Sequence, residues 1–225
     1  MKPSLLAAAL LAVTLPAAHA AESPAVPAEA GTAPAGARTD VFTGGNAEAG
    51  GTRAAACAAC HGPGGNSGNP EWPKLAGQHA PYVAAQLKLF KSGERKNPVM
   101  SPQAAQLTDD DIRNVAAFFA TQKPTPGVAS PDAVKIAGKI YRAGDPARGL
   151  PACAACHGPA GAGNAAAGYP RIGGQHAKYA AGSLRRLRDL HGEGTSPNAA
   201  AMSAIAAKLT DNEIEALASY VNGLH

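Results

Sequence analysis

Cys57-Ala-Ala-Cys60-His61-Gly62-Pro63 is written a second time as Cys153-Ala-Ala-Cys156-His157-Gly158-Pro159, 96 residues later. These two stretches contain all 4 cysteines of the 225-residue chain. The spacing has a chemical reason. Two thiols three residues apart lie on one helical turn, where each can add to one vinyl group of a haem, and the adjoining His then lies under the iron. The motif therefore predicts covalent haem c attachment at Cys57 and Cys60 and again at Cys153 and Cys156, with His61 and His157 on the irons. Three rivals are weaker. A zinc site from the four thiols leaves the paired His residues unexplained. A thioredoxin-like Cys pair wants a preceding strand and a βαβ setting. A disulfide between helical neighbours is strained.

Outward from the motif the repetition continues. Pro73-Lys-Leu-Ala-Gly77-Gln78-His79-Ala-Pro-Tyr82 returns as Pro170-Arg-Ile-Gly-Gly174-Gln175-His176-Ala-Lys-Tyr179, 97 residues on. Met100, with Leu107-Thr-Asp-Asp-Asp-Ile112 behind it, returns as Met202 and Leu209-Thr-Asp-Asn-Glu-Ile214 at an offset of 102, so the second copy carries an insertion between Leu190 and Met202. Two copies at this spacing mean tandem domains rather than a solenoid. Each reads as helical. Helices are expected at 46–57 and 132–143, at 79–92 with Gly93 as C-cap, and at 176–190. A last helix in each copy opens on a capping box, Thr108 with Asp111 and Thr210 with Glu213. Ile112, Val115, Phe118 and Phe119 form one apolar stripe and Ile214, Leu217, Tyr220 and Val221 another, read as core. No run alternates as a strand should. The fold class is all-α: domains at 45–123 and 132–225, each a small helical fold wrapped around one haem, joined by a Pro-rich linker at 124–131.

The sixth iron ligand decides the chemistry. Met100 and Met202 are placed equivalently, each expected in a loop seven residues before the Leu-Thr of the last helix, and they lead as ligands. His79 and His176, also in register, are the alternative pair, although a helix start suits surface or capping roles. A thioether favours ferrous iron and raises the potential, and six protein-supplied ligands leave no position open for O₂ or peroxide. That pattern suits a carrier of single electrons rather than an oxidase or peroxidase. A haem-ligating His usually donates its other N–H to a carbonyl; Pro73 and Pro170 are expected to accept those bonds, and Tyr82 and Tyr179 to reach haem propionates or to pack.

Composition narrows the rest. With 26 Gly and 19 Pro, a fifth of the chain, the apolar core is thin for two domains, and a large apolar cofactor would fill it. The net charge of +4 is interspersed, which speaks against nucleic-acid binding. The densest basic run is Arg185, Arg186 and Arg188, a potential docking patch for an acidic partner. Residues 1–20 read as a cleaved signal peptide: Lys2, an apolar run from Leu5 to Leu15, then Ala18-His19-Ala20. That run is too short to span a bilayer, so no integral span is expected in the mature chain. Residues 21–44 read as a disordered Pro/Ala-rich segment.

From about residue 46 to the end, the two haem motifs, Pro-Lys-Leu-Ala-Gly-Gln, Met100-Ser-Pro, Gly-Gly-Gln-His-Ala and the closing Tyr220-Val-Asn-Gly-Leu-His225 resemble the cytochrome c4 family of dihaem class I cytochromes. The resemblance implies two class I domains related by pseudo-twofold symmetry, haems close enough for rapid exchange, and Met100 and Met202 as distal ligands. It also implies a periplasmic electron shuttle, without enzymatic activity, between a cytochrome bc complex as donor and a haem–copper terminal oxidase as acceptor. Two other functions stay open: the electron-accepting cytochrome subunit of a periplasmic dehydrogenase, and a dihaem peroxidase-type enzyme.

Overall fold

A computed structural model of the chain describes residues 39–225. The signal peptide and the segment from residue 21 to 38 lie outside the described residues. The remainder of that segment is held in place rather than disordered. The Asp40 carboxylate accepts from Phe42 N, Thr43 N and Thr43 Oγ1, and Thr39 forms an isolated bridge with Asn46.

Among the described residues ten α-helices carry the fold. In the first copy they are α1 (Ala47–Ala54), α2 (Ala58–His61), α3 (Ala80–Ser92), α4 (Met100–Ala105) and α5 (Asp109–Thr121). In the second they are α6 (Pro131–Ala143), α7 (Ala154–His157), α8 (Ala177–Arg188), α9 (Pro197–Ala206) and α10 (Asp211–Asn222). Among the described residues β pairing is confined to isolated bridges, so the all-α class expected from the sequence is what the structure has. Each capping box is formed in both directions, hydroxyl to backbone and carboxylate to backbone. The two halves differ at their starts. α1 runs through a 3-10 turn, Ala55–Cys57, directly into α2. α6 instead stops at Gly144, and a short loop closed by the Asp145–Leu150 bridge precedes α7.

The core of the first half joins α3, α4 and α5, with Ile112, Val115, Ala116 and Phe119 buried. α1 lies across α5 so closely that a Cβ at Gly50 would fall 1.9 Å from the Asn114 carbonyl oxygen. Only glycine permits that crossing. The core of the second half joins α6, α8 and α10 around Ile214, Leu217 and Tyr141. Tyr141 has no exposed surface, stacks 5.2 Å from Tyr220, and its hydroxyl donates to the Gly158 carbonyl at 2.6 Å.

The halves meet along a seam built by two glutamines. Gln78 Nε2 donates to the Arg171 carbonyl at 2.8 Å and Gln78 Oε1 accepts from Arg171 N at 2.9 Å. Gln175 makes the same pair with Lys74, 2.9 Å each way. Lys74 and Arg171, like Gln78 and Gln175, are equivalent positions of the repeat. The contact is therefore reciprocal, as a twofold axis imposes. The linker is pinned across it. Asn66 Oδ1 accepts from Thr125 N and Oγ1, Gly127 N donates to the Asn222 carbonyl, and Pro131 is already the first residue of α6.

Candidate haem sites

Each site begins at a short helix. α2 and α7 hold the second Cys and the His of their motifs, and each ends at a glycine, Gly62 and Gly158, both at φ 75°. The chain then turns back and is tied twice. Leu75 N donates to the Gly65 carbonyl and Ile172 N to the Gly161 carbonyl, 2.8 Å in both. Gly77 N donates to Phe119 O near the end of α5, and Gly174 N to Val221 O near the end of α10, 2.9 Å in both. Two residues before the first tie stand Pro73 and Pro170, aimed at the imidazoles. His61 Nδ1 is 2.9 Å from the Pro73 carbonyl and His157 Nδ1 is 2.9 Å from the Pro170 carbonyl. A carbonyl only accepts, so Nδ1 carries the proton and Nε2 keeps its lone pair for a metal. Both rings are buried, and burial holds their pKa below the ordinary imidazole value, with the proline carbonyls pulling the other way.

Among the described residues no three His, Cys, Asp or Glu side chains converge. All four cysteines are free of disulfide pairing. Burial raises the Cys57 thiol and pushes Cys153 up to about 11. A redox-active Cys-x-x-Cys pair needs a depressed value.

Met100 and Met202 are not in loops. Met100 is the first residue of α4 and Met202 the sixth of α9. The insertion in the second copy supplies much of the reason: Ser196 caps and Pro197 starts a helix that arrives at Met202 already formed. His79 and His176 occupy the N-cap positions of α3 and α8, but neither side chain caps. His176 Nε2 bonds the Ser67 carbonyl across the seam at 2.8 Å, while His79 Nε2 is buried without a partner.

Tyr82 and Tyr179 come together at the seam with Arg95 and Arg186. Arg95 Nη2 donates to the Tyr179 hydroxyl at 3.2 Å, and Arg95 stacks on Phe90 at 4.5 Å. Burial and then Tyr179 push the Tyr82 hydroxyl up. Burial acts the same way on Tyr179, yet the two guanidiniums outweigh it and bring that hydroxyl down. Desolvation and then Arg95 lower Arg186. Among the described residues neither arginine is paired with a carboxylate.

The residues fit haem c. Paired thiols on one turn, an imidazole with its Nδ1 engaged, and an apolar wall that includes Leu75 and Phe118 or Ile172 and Leu184 match the macrocycle and its iron. Two cations lacking an anion match its propionates. The sequence gives no sign of Arg95 in this role, and it shows Arg186 only as part of a basic run, because the two are not equivalent positions of the repeat. Gln78 and Gln175 recur in register, and their role at the seam shows only in the folded chain. The basic run is not a free patch: Arg185 pairs with Glu215 and Asp211, and Arg188 with Asp211.

Fold and sites together define a c-type cytochrome with two haem-binding domains. A family model described as cytochrome c matches residues 139–225, and one described as cytochrome C oxidase, cbb3-type, subunit III matches residues 46–119. Cytochrome c4 of Pseudomonas aeruginosa is 45% identical over 184 residues, 80% of this chain and 90% of that protein. The crystal structure of reduced recombinant cytochrome c4 from Pseudomonas stutzeri superposes with a TM-score of 0.77 at 42% identity, covering 80% of this chain and all of that one. A thiosulfate dehydrogenase electron acceptor from Stutzerimonas stutzeri is 38% identical over 174 residues, 74% of this chain and 78% of that protein. The chain belongs to the cytochrome c4 family. It is a dihaem electron-transfer protein, not an enzyme, and carries two covalently bound haem c groups.

Proposed function

We propose that the protein is a periplasmic shuttle that takes single electrons from a cytochrome bc complex and delivers them to a haem–copper terminal oxidase. Cys57, Cys60, Cys153 and Cys156 hold the two groups; His61 with Met100, and His157 with Met202, provide the axial ligands. Each haem c supplies a one-electron change between ferric and ferrous iron. The chain's part is to keep that change small in structure. Pro73 and Pro170 hold the imidazoles in one tautomer and one orientation, and α4 and α9 carry the methionines. Arg95 and Arg186, with Tyr82 and Tyr179, would neutralise the propionates at the seam. The signal sequence at residues 1–20 supports export. Among the described residues no helix is long and apolar enough to cross a membrane.

The observation that carries the haem-site reading is the pair of equal 2.9 Å histidine–proline contacts, which leave the same ring nitrogen of His61 and His157 for iron, while the methionine assignment rests on the register of the repeat. Absorption spectra of the oxidised and reduced protein, with and without carbon monoxide, test it. Two low-spin haems, a Met-to-ferric charge-transfer band and no response to carbon monoxide are expected. Carbon monoxide binding at one haem would move the reading to the peroxidase type.

A second partner reading has specific support: the likeness to a thiosulfate dehydrogenase electron acceptor favours service to a periplasmic dehydrogenase. Stopped-flow reduction by a purified bc complex, compared with reduction by thiosulfate dehydrogenase and thiosulfate, separates the two.

A further inference from the structure

Ser101 and Ser203 follow the two methionines at equivalent positions of the repeat, yet they are held very differently. Ser203 has no exposed surface. Its hydroxyl donates to the Leu187 carbonyl at 2.7 Å and accepts from Gly192 N at 2.8 Å. One side chain thus ties α9 to the end of α8 and to the turn after it. That turn is itself constrained, with His191 at φ 49° and Gly192 at φ 90°. The helix start is fixed as well, since Asn198 Nδ2 donates to the Ala167 carbonyl at 2.8 Å. Ser101, only half-buried, accepts a single 3.3 Å bond from Asn97 N. The rest of the anchoring around Met100 is local: Asn97 Oδ1 accepts from Met100 N and Val99 N, and Val99 is 55% exposed.

Exchange of a distal methionine for an external ligand requires the segment that bears it to swing away. The local opening free energy of that segment then sets the apparent affinity for the incoming ligand. Opening at Met202 breaks two buried hydrogen bonds of a hydroxyl that no water reaches, whereas the serine hydroxyl beside Met100 gives up one long bond and the Asn97 contacts there lie within three residues of the chain, at a partly solvated turn.

We propose that Ser203 is a positioning residue that locks Met202 in place, so that the first domain, where Ser101 has no such anchorage, is the one that yields its methionine to an external ligand. The proposal rests on Met100 and Met202 being the distal ligands. The step is a ligand substitution at ferric iron: the thioether leaves, an imidazole nitrogen takes its position, and no electron is transferred.

The test is a titration of the oxidised holoprotein with imidazole, followed through the Met-to-ferric charge-transfer band. The native protein should lose the band in two equal phases at concentrations at least threefold apart. Ser203→Ala should move the higher phase to at least threefold lower imidazole and leave the lower phase, an internal control, where it was. A single phase in the native protein, or a Ser203→Ala titration that is unchanged or shifted equally in both phases, would overturn the proposal. If Ser203→Ala does not fold, Ser203→Cys, whose thiol is a weak donor and acceptor, is read by the same criteria. A protein without the band before any imidazole is added refutes the methionine ligation itself and is thereby distinguished from a failure of the anchoring argument.

Discussion

Removing one glutamine from the seam should cost more than its exposed-looking chemistry suggests. Gln175 makes two bonds to the Lys74 backbone, 2.9 Å each, and its Oε1 also accepts from His176 N at 2.9 Å. At about 0.5–1.5 kcal/mol net per bond, with the Lys74 groups then left poorly solvated between domains, Gln175→Ala should destabilise the holoprotein by about 2–3 kcal/mol. Gln78→Ala removes the equivalent set and should cost a similar amount. Gln175→Glu is the sharper variant. It keeps one acceptor oxygen but sets the other against the Lys74 carbonyl, where a donor is required. It should be at least as damaging as Ala near neutral pH and recover below the carboxyl pKa, once a proton restores the donor. Urea unfolding followed by far-UV circular dichroism measures this, with the change taken from the midpoint at constant slope. A loss below about 0.5 kcal/mol for Gln175→Ala, the range of an ordinary surface change, or a Glu variant as stable as the native protein at pH 7, would refute the reasoning.

Two further outcomes follow from the cores and the caps. Ile214 has no exposed surface, so Ile214→Ala should lower stability by about 2–5 kcal/mol in the same assay. Glu213 is bonded to Arg148 and to Thr210, and both hold its carboxyl below the ordinary glutamate value. A depressed carboxyl stabilises above its unfolded pKa and loses that contribution as pH falls through the folded one. Native stability should therefore decline from about pH 4.5 downward, and Arg148→Gln should flatten that decline.

The sequence makes the local chemistry legible where the repeat prints it twice. Each Cys-x-x-Cys-His recurs with a proline 12 or 13 residues behind it, and the structure places the carbonyls of Pro73 and Pro170 against His61 and His157. The capping boxes are equally plain because they are contacts between neighbours in the chain. What depends on tertiary approach is not printed. Arg185 and Arg188 look like a basic patch until α10 brings Asp211 and Glu215 beside them. Arg95 reaches Tyr179 from 84 residues away with no counterpart to betray it. The helix through Met202 has a sequence signal, Ser196-Pro197 before an alanine run, but set against the shorter first copy the segment reads as an insertion.

The reciprocal seam has a consequence for how such a chain can change. In a true homodimer every substitution is made twice, and a change that weakens one rung of the contact weakens both. Here the two halves are written separately and joined by a short tether, so each is always present at high effective concentration for the other. The pair does not fall apart on dilution, and an alteration can be made on one side alone. α9 begins several residues ahead of its methionine, Arg95 stands in only one half, and the His176 ring bonds across the boundary where His79 Nε2 has no partner. Duplication within one gene turns a symmetric partner into a permanent one that is free to diverge, so the two electron sites can become chemically unequal while the joint between them stays matched.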